Sequence, residues 1–207
     1  VKIIDISWPI TSDITTYKNK SDVQILQTHT WETSAKRESQ LNCGMHTGTH
    51  VDAPAHFLET GLTIDQLNLN NFIGPAQVLE LSIITNNQIT AQDLSNFEIL
   101  AGQIILLKTS NSNLAANSSF EPNFVYLASS GAEYLASKKV KAVGIDYLGI
   151  ERNQPEHETH KILFRAGVVI IEGLRLAQVT SGNYQFICLP LNIIGQEAAL
   201  ARAILIK

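Results

Sequence analysis

Three histidines and an aspartate crowd one short stretch of this chain, His46-Thr-Gly-Thr-His50-Val-Asp52-Ala-Pro-Ala-His56. Neutral imidazole and carboxylate oxygen together suit zinc, manganese or iron(II), and an aspartate has two oxygens with which to bridge two ions. A metal held in this way acidifies water and polarises a carbonyl, which is the chemistry of hydrolysis. A histidine left off the metal can carry the protons. His46 and His50 share the four-residue spacing of zinc-binding helices, but no Glu follows the first His. Gly48 between two threonines, with Pro54 downstream, opposes a regular helix. The run therefore reads as an irregular, tightly turned loop in which Gly48 bends the backbone so that several side chains converge. A serine-hydrolase alternative has no Gly-x-Ser-x-Gly elbow to stand on.

Such a loop needs rigid elements around it. Short apolar runs rich in β-branched residues recur at 2–6, 23–27, 76–81, 104–107, 140–145, 168–171, 186–189 and 203–206. Several are apolar at nearly every position, the pattern of strands buried on both faces. Helices are fewer. Thr90 is an N-cap for a short one beginning Thr90-Ala-Gln-Asp93. Ser130-Gly-Ala-Glu133 has capping-box spacing before a helix that ends near Lys138 and Lys139, cations suited to a helix C-terminus. A third helix is predicted over 159–165, stopped by Gly167. Residues 11–22 and 111–123 are polar, without period, and read as surface loops. The whole is a mixed α/β pattern with more strand than helix.

With 207 residues and no linker or internal repeat, the chain is expected to form a single domain over 1–207. A hydrophobic share of 44% against 16% charged residues describes a globular protein. The net charge of -4, without a Lys/Arg run, argues against a nucleic-acid or anionic-membrane partner. Cys43 and Cys188 are too far apart for a CxxC pair, which excludes a disulfide framework or a Cys-rich zinc site. No apolar stretch reaches membrane-span length, and the opening residues read as a strand, not a signal peptide. The expected compartment is the cytoplasm, where the Asn117-Ser118-Ser119 glycosylation match has no role.

The run His46-Thr-Gly-Thr-His50-Val-Asp52-Ala-Pro-Ala-His56-Phe57 resembles the His-x-Gly-Thr-His-x-Asp-x-Pro-x-His-Phe motif of the cyclase family of metal-dependent hydrolases, of which bacterial kynurenine formamidases are the best known. Further matches are His160 ahead of Ile170-Ile171-Glu172-Gly173-Leu174, the opening Ile4-Asp-Ile-Ser7, Gly144-Ile-Asp146-Tyr147 and Leu189-Pro190-Leu191, so the resemblance spans nearly the whole chain. It implies a swivelling β/β/α fold, a binuclear zinc or manganese centre and a homodimer or higher homo-oligomer. It also implies roles: His46, His50 and Asp52 on the first ion, Asp52 bridging to a second completed by His160 and Glu172, and His56 as general acid/base outside the metal shell. His157, three residues before His160, reads as loop surface. The implied reaction is hydrolysis of a small-molecule amide or cyclic amide, with N-formylkynurenine the first candidate. A hydroxide generated on the metal attacks the carbonyl, and His56 passes a proton to the leaving nitrogen. Rival readings are a dehydratase or isomerase using the same metals, and a non-catalytic metal-binding protein. Tyr17, Phe57 and Trp8 are candidates for an aromatic pocket wall. One departure stands out: where formamidases carry a Pro-Gly-Asp turn, Tyr17 is followed by Lys18-Asn19-Lys20. Two cations near a pocket mouth would favour an acidic substrate.

Overall fold

A computed structural model describes residues 1–20 and 23–207. Its strands and helices follow in the order β1 (Ile3–Asp5), β2 (Gln24–His29), β3 (Glu38–Asn42), β4 (His50–Asp52), β5 (Ile73–Glu80), β6 (Gln88–Ile89), α1 (Ala91–Leu94), β7 (Ile104–Lys108), β8 (Tyr126–Leu127), α2 (Ser129–Ser137), β9 (Ala142–Ile145), α3 (Glu158–Arg165), β10 (Val169–Glu172), β11 (Gly182–Pro190) and β12 (Ala198–Ile206). The main sheet runs β1-β12-β11-β5-β7-β9-β10-β4, and β4 pairs back onto β12. Seven strands thereby close into a barrel-like ring, with β1 added along β12. β5, β7, β9 and β10 run parallel, while β4, β11 and β12 pair antiparallel. This is the strand-rich, mixed α/β architecture expected from the apolar runs.

Closure explains why those runs are apolar throughout. Every strand of the ring sends alternate side chains inward: Val51, Val78, Leu106, Ala142, Ile171, Phe186 and Leu205 meet in one core. The opposite faces of β5, β7, β9 and β10 are covered by a second core, in which Leu79, Leu107, Val143 and Ile170 pack with Leu94, Leu135 and Leu163 from the three helices. Parallel strands with helices on their outer face are buried twice.

The helix caps divide. Thr90 is the expected N-cap of α1, and Asp93 completes a reciprocal cap with it. α2 has no side-chain cap; it begins at Ser129 after Ala128, so the Ser130/Glu133 pair falls inside the helix. α3 ends where predicted, and Gly167 turns the chain with a φ of +73°.

Neither polar segment is wholly a surface loop. Within 11–20, Ile14, Thr15 and Thr16 are buried and Tyr17–Asn19 forms a 3-10 turn; Ser21 and Asp22 lie outside the described residues. Asn111 and Ser112 are also buried. The Asn111 amide donates to the Val125 carbonyl and accepts from its N–H, both at 2.8 Å, so a polar side chain takes the place of a strand partner. Asp146, at the end of β9, accepts from the Thr109 and Ser112 N–H groups at 2.7 and 3.1 Å and from both hydroxyls. Burial raises its pKa against those bonds. β2 and β3 form a separate hairpin, exposed on both faces, of which only the first strand was legible in sequence. No helix among the described residues is long and apolar enough to cross a membrane.

Candidate metal centre

Strand register brings the first side chains together. In β4, the two-residue period of a strand points His50 and Asp52 one way and Val51 the other, into the ring's interior. β10 lies antiparallel beside it, with Glu172 directly opposite His50. Residues so paired project to the same face, and His50 Nε2 stands 3.4 Å from both Asp52 Oδ1 and Glu172 Oε2. Asp52 sits deep in the sheet because β4 also pairs with β12, Ala198 lying opposite it. The expected irregular loop is therefore a buried strand from His50 to Asp52, since its partners come from residues more than a hundred positions away. The bend predicted at Gly48 is real, with φ +59°.

Gly48 and Gly173 make the close approach that holds this arrangement. A Cβ on Gly173 would lie 2.1 Å from the Gly48 carbonyl oxygen, and Gly173 itself has φ +71°. Thr49 ties the crossing, donating through Oγ1 to the Gly173 carbonyl at 2.6 Å and accepting from the Trp8 N–H at 2.7 Å.

α3 supplies the next group. Leu163 and Phe164 anchor it in the outer core, and each such burial contributes about 1.5–3 kcal/mol. One turn earlier, His160 points its Nε2 at Asp52 Oδ2 (3.5 Å) and Glu172 Oε1 (3.6 Å). His46 Nδ1 reaches Asp52 Oδ1 at 2.9 Å from the preceding loop. Asp52 thus stands at the centre of all three histidines. After β4, Pro54–His56 forms a 3-10 turn that lays the His56 ring 4.3 Å from that of His46, centroid to centroid.

The electrostatics are those of a site built for cations. Burial alone would lower the pKa of His50, but the Asp52 and Glu172 carboxylates beside it raise it to about 10. His160 is likewise raised against its burial by Asp52, Glu151 and Glu172. Burial and the Asp52 charge both oppose ionisation of Glu172, yet His160 and His50 hold it at about 2. Asp52 is held well below the usual range against its burial by His160, His46 and His50. His56 goes the other way: burial, aided by His46 and His160, outweighs the pull of Asp52 and lowers it to about 4.

These residues fit a bound metal on two observations. His50 Nε2 and Asp52 Oδ1 are buried without an aligned hydrogen bond, the 2.9 Å approach of His46 Nδ1 to Asp52 included, which is costly unless something else takes the lone pairs. The 3.4–3.6 Å spacings are too long for good hydrogen bonds. They match two ligands, each ~2.1 Å from one ion, meeting at a tetrahedral angle. Donor atoms converge in the sets His50/Asp52/Glu172 and His46/Asp52/His56, with Asp52 in both, and in a third set, Glu151/His157/His160.

The Cyclase family model matches residues 4–152. The chain belongs to the cyclase family. It is 30% identical to a kynurenine formamidase of Bacillus cereus, over 98% of this chain and 96% of that protein. A solved structure described as a potential metal-dependent hydrolase with cyclase activity is 42% identical, covers 99% of this chain and 96% of its own, and superimposes with a TM-score of 0.88. A "predicted metal-dependent hydrolase" from Bacillus stearothermophilus is 40% identical over 99% and 97% of the two chains, with a TM-score of 0.87.

In this cyclase-family chain His46, Asp52, His56, His160 and Glu172 open into a cleft of about 380 Å³, lined also by Tyr17, Lys18, Lys20, Phe57, Leu148 and Gly149. A cavity of about 480 Å³ beside Leu81, Ile83 and Phe97 lies away from the histidines and brings no comparable group together. Tyr17 packs edge-on against Phe120, and its pKa is raised by burial and by the Glu172 and Glu151 charges. The two lysines stand at the cleft as anticipated, and among the described residues neither has an acidic partner. Trp8 does not reach it. Its ring is buried under the Arg175 guanidinium and donates through Nε1 to the Ala116 carbonyl, because strand β1 carries it into a separate aromatic core.

His157 is exposed ahead of α3, as expected, but makes contacts the sequence did not show. It precedes α3 in a left-handed conformation (φ 54°), stacks on Phe57 at 4.1 Å and sets its Nδ1 2.5 Å from Glu151 Oε1. Glu151 itself, buried at the cleft, escaped the sequence reading, as did Glu197, whose Oε1 lies 3.4 Å from His46 Nε2. The available signal for Glu151 was an acid five residues beyond Asp146, between a buried strand and a helix carrying a candidate ligand.

Proposed function

We propose that this chain is a metal-dependent amide hydrolase of the arylformamidase type, cleaving N-formylkynurenine to kynurenine and formate or opening a related cyclic amide. The gathering of His46, His50, His160 and Glu172 around Asp52, with His50 Nε2 and Asp52 Oδ1 buried and without an aligned hydrogen bond, carries this reading. The formamidase of Bacillus cereus, similar over nearly its whole length, supports it. Zinc or manganese suits the mixed imidazole and carboxylate set, and two ions are proposed. His46, His50 and Asp52 hold one, and Asp52 bridges to the other with His160 and Glu172. When bound, the metals acidify water and polarise the substrate carbonyl.

The protein's own groups do the rest. His56, kept neutral at physiological pH by its burial, has a lone pair free to accept a proton and return it to the leaving nitrogen. Tyr17 and Phe57 flank an aryl ring, and the Lys18 and Lys20 ammonium groups favour a substrate carrying a carboxylate. The continuous ring of strands supports reading residues 1–207 as one domain.

A homodimer is also proposed. The β2–β3 hairpin exposes Ile25, Leu26 and Leu41, and Trp31 at its turn is 70% exposed. An isolated two-stranded hairpin is marginal in water, and a second copy can pair with its free edge in a two-fold arrangement.

The test is to reconstitute the purified protein with zinc or manganese, assay N-formylkynurenine and measure bound metal by elemental analysis. Up to two ions per chain and formate release are expected. Absence of bound metal, with no activity restored by either ion, would sink the reading.

A further inference from the structure

We infer that Glu151 is a positioning residue for the metal centre, fixing the ring of His160 so that its Nε2 faces Asp52 and Glu172, and that His157 buttresses Glu151 from the solvent side. This rests on the metal-hydrolase reading of the same site.

Glu151 is 7% exposed and touches His160 twice. Its Oε2 accepts the His160 backbone N–H at 3.2 Å, and its Oε1 faces the ring Nδ1 at 3.1 Å. The backbone contact fixes where the first turn of α3 stands, and the carboxylate beside the ring holds Nδ1 on the side away from the site, at ion-pair distance and without an aligned hydrogen bond in the metal-free protein. With a metal bound, a proton kept at Nδ1 by that carboxylate would leave Nε2, which faces Asp52 and Glu172, as the nitrogen that binds it. A metal-bound histidine commonly donates its other N–H to such a carboxylate, which makes the ligand more basic and restricts its rotation.

His157 completes the arrangement. Its Nδ1 meets the same Glu151 Oε1 that faces His160, and its ring is sandwiched against Phe57, which also packs on His160 at 4.5 Å. The left-handed backbone at His157 is an uncommon state for a residue other than Gly, and it turns the imidazole back onto Glu151 as α3 starts. His157, Glu151 and His160 therefore form one chain of contacts running inward from solvent.

The experiment measures zinc affinity by competition with a chelator, together with hydrogen exchange at the His160 Nδ1–H in the zinc-loaded protein. Glu151→Gln preserves size and removes the charge. Zinc binding is expected to weaken ~10–100-fold, and the Nδ1–H, slow to exchange in wild type, to exchange rapidly. Glu197→Gln removes an equal charge beside His46 and is expected to change affinity less than Glu151→Gln does. His157→Ala should weaken zinc binding in the same direction by a smaller factor, and adding it to Glu151→Gln should produce no further loss. Thermal melting of the metal-free variants checks that each folds; should Glu151→Gln fail to fold, His157→Ala carries the same exchange readout. Unchanged affinity and exchange in Glu151→Gln, or equal losses in Glu151→Gln and Glu197→Gln, would overturn the positioning role while leaving the metal reading intact. Wild type that binds no zinc would overturn both.

Discussion

Asp52 is the residue on which the site turns, because its Oδ1 faces His46 and His50 and its Oδ2 faces His160. Asp52→Asn should lose most of the metal of both positions, read by elemental analysis. His46→Asn should lose metal as well, whereas His56→Asn should keep it and lose ~10²–10⁴-fold in turnover, the usual contribution of a general acid/base. Equal metal loss in the two histidine variants would make His56 a ligand, consistent with its closeness to His46. The metal-free protein should also release protons as it loads. His50, raised to about 10, and His160, also raised, each hold a proton at neutral pH, and a metal must displace it. Affinity should therefore strengthen as pH rises from neutrality toward about 10, where His50 gives up its proton unaided, and calorimetry in buffers of different ionisation enthalpy should register proton release. Binding without pH dependence would contradict the ligand assignment. The candidate groups were readable from sequence because His46, His50, Asp52 and His56 are local. Glu151 and Glu197 were not, since an acid's nearness to a histidine depends on the fold that brings them together.

The elements make two demands that sequence expresses unequally. The glycine at 173 is one residue past Glu172, and its need follows from a crossing that only the structure shows. Gly173→Ala would combine a positive φ with a Cβ driven into the Gly48 carbonyl. It should cost at least about 2 kcal/mol and displace Glu172 and His50 relative to each other. Gly167 has nearly the same φ but open space around its Cβ position, so Gly167→Ala should cost only about 1–2 kcal/mol and leave metal content alone. Urea unfolding and metal analysis of the two variants separate the steric clash from the backbone conformation; comparable behaviour would mean that the crossing is not tight. The buried strands were legible because a strand covered on both faces is apolar throughout. β4 was not, since its polar His50 and Asp52 are buried by function and its length is three residues. α2 shows the converse error: capping-box spacing alone does not locate a helix start when the residues fall one step inside it.

At the scale of the molecule, the hairpin joins the question of assembly to that of substrate. β2 begins four residues after Lys20, and β3 ends four residues before His46, so the arm is held between two segments that line the cleft. Its exposed Ile25, Leu26 and Leu41 have no core to join within the chain's described residues. A second copy covering the arm would fix both flanks and thereby the Tyr17–Lys20 side of the pocket. Sedimentation should accordingly find wild type at twice the chain mass, and the pair Ile25→Glu/Leu41→Glu should shift it toward a monomer. Because His50, Asp52, Glu172 and His160 are held by the ring and α3, and only His46 adjoins the arm, that monomer should keep most of its metal and its turnover at saturating substrate. Its KM should rise, through loss of order at Tyr17, Lys18 and Lys20. Lys18→Ala/Lys20→Ala in the intact dimer should raise KM for carboxylate-bearing amides more than for neutral aryl formamides. A wild type that is monomeric and fully active, or a dimer unaffected by charge on the hairpin, would remove the arm from the assembly. Equal effects of the lysine changes on charged and neutral substrates would remove the two cations from recognition, leaving Tyr17 and Phe57 as the candidates for binding the ring.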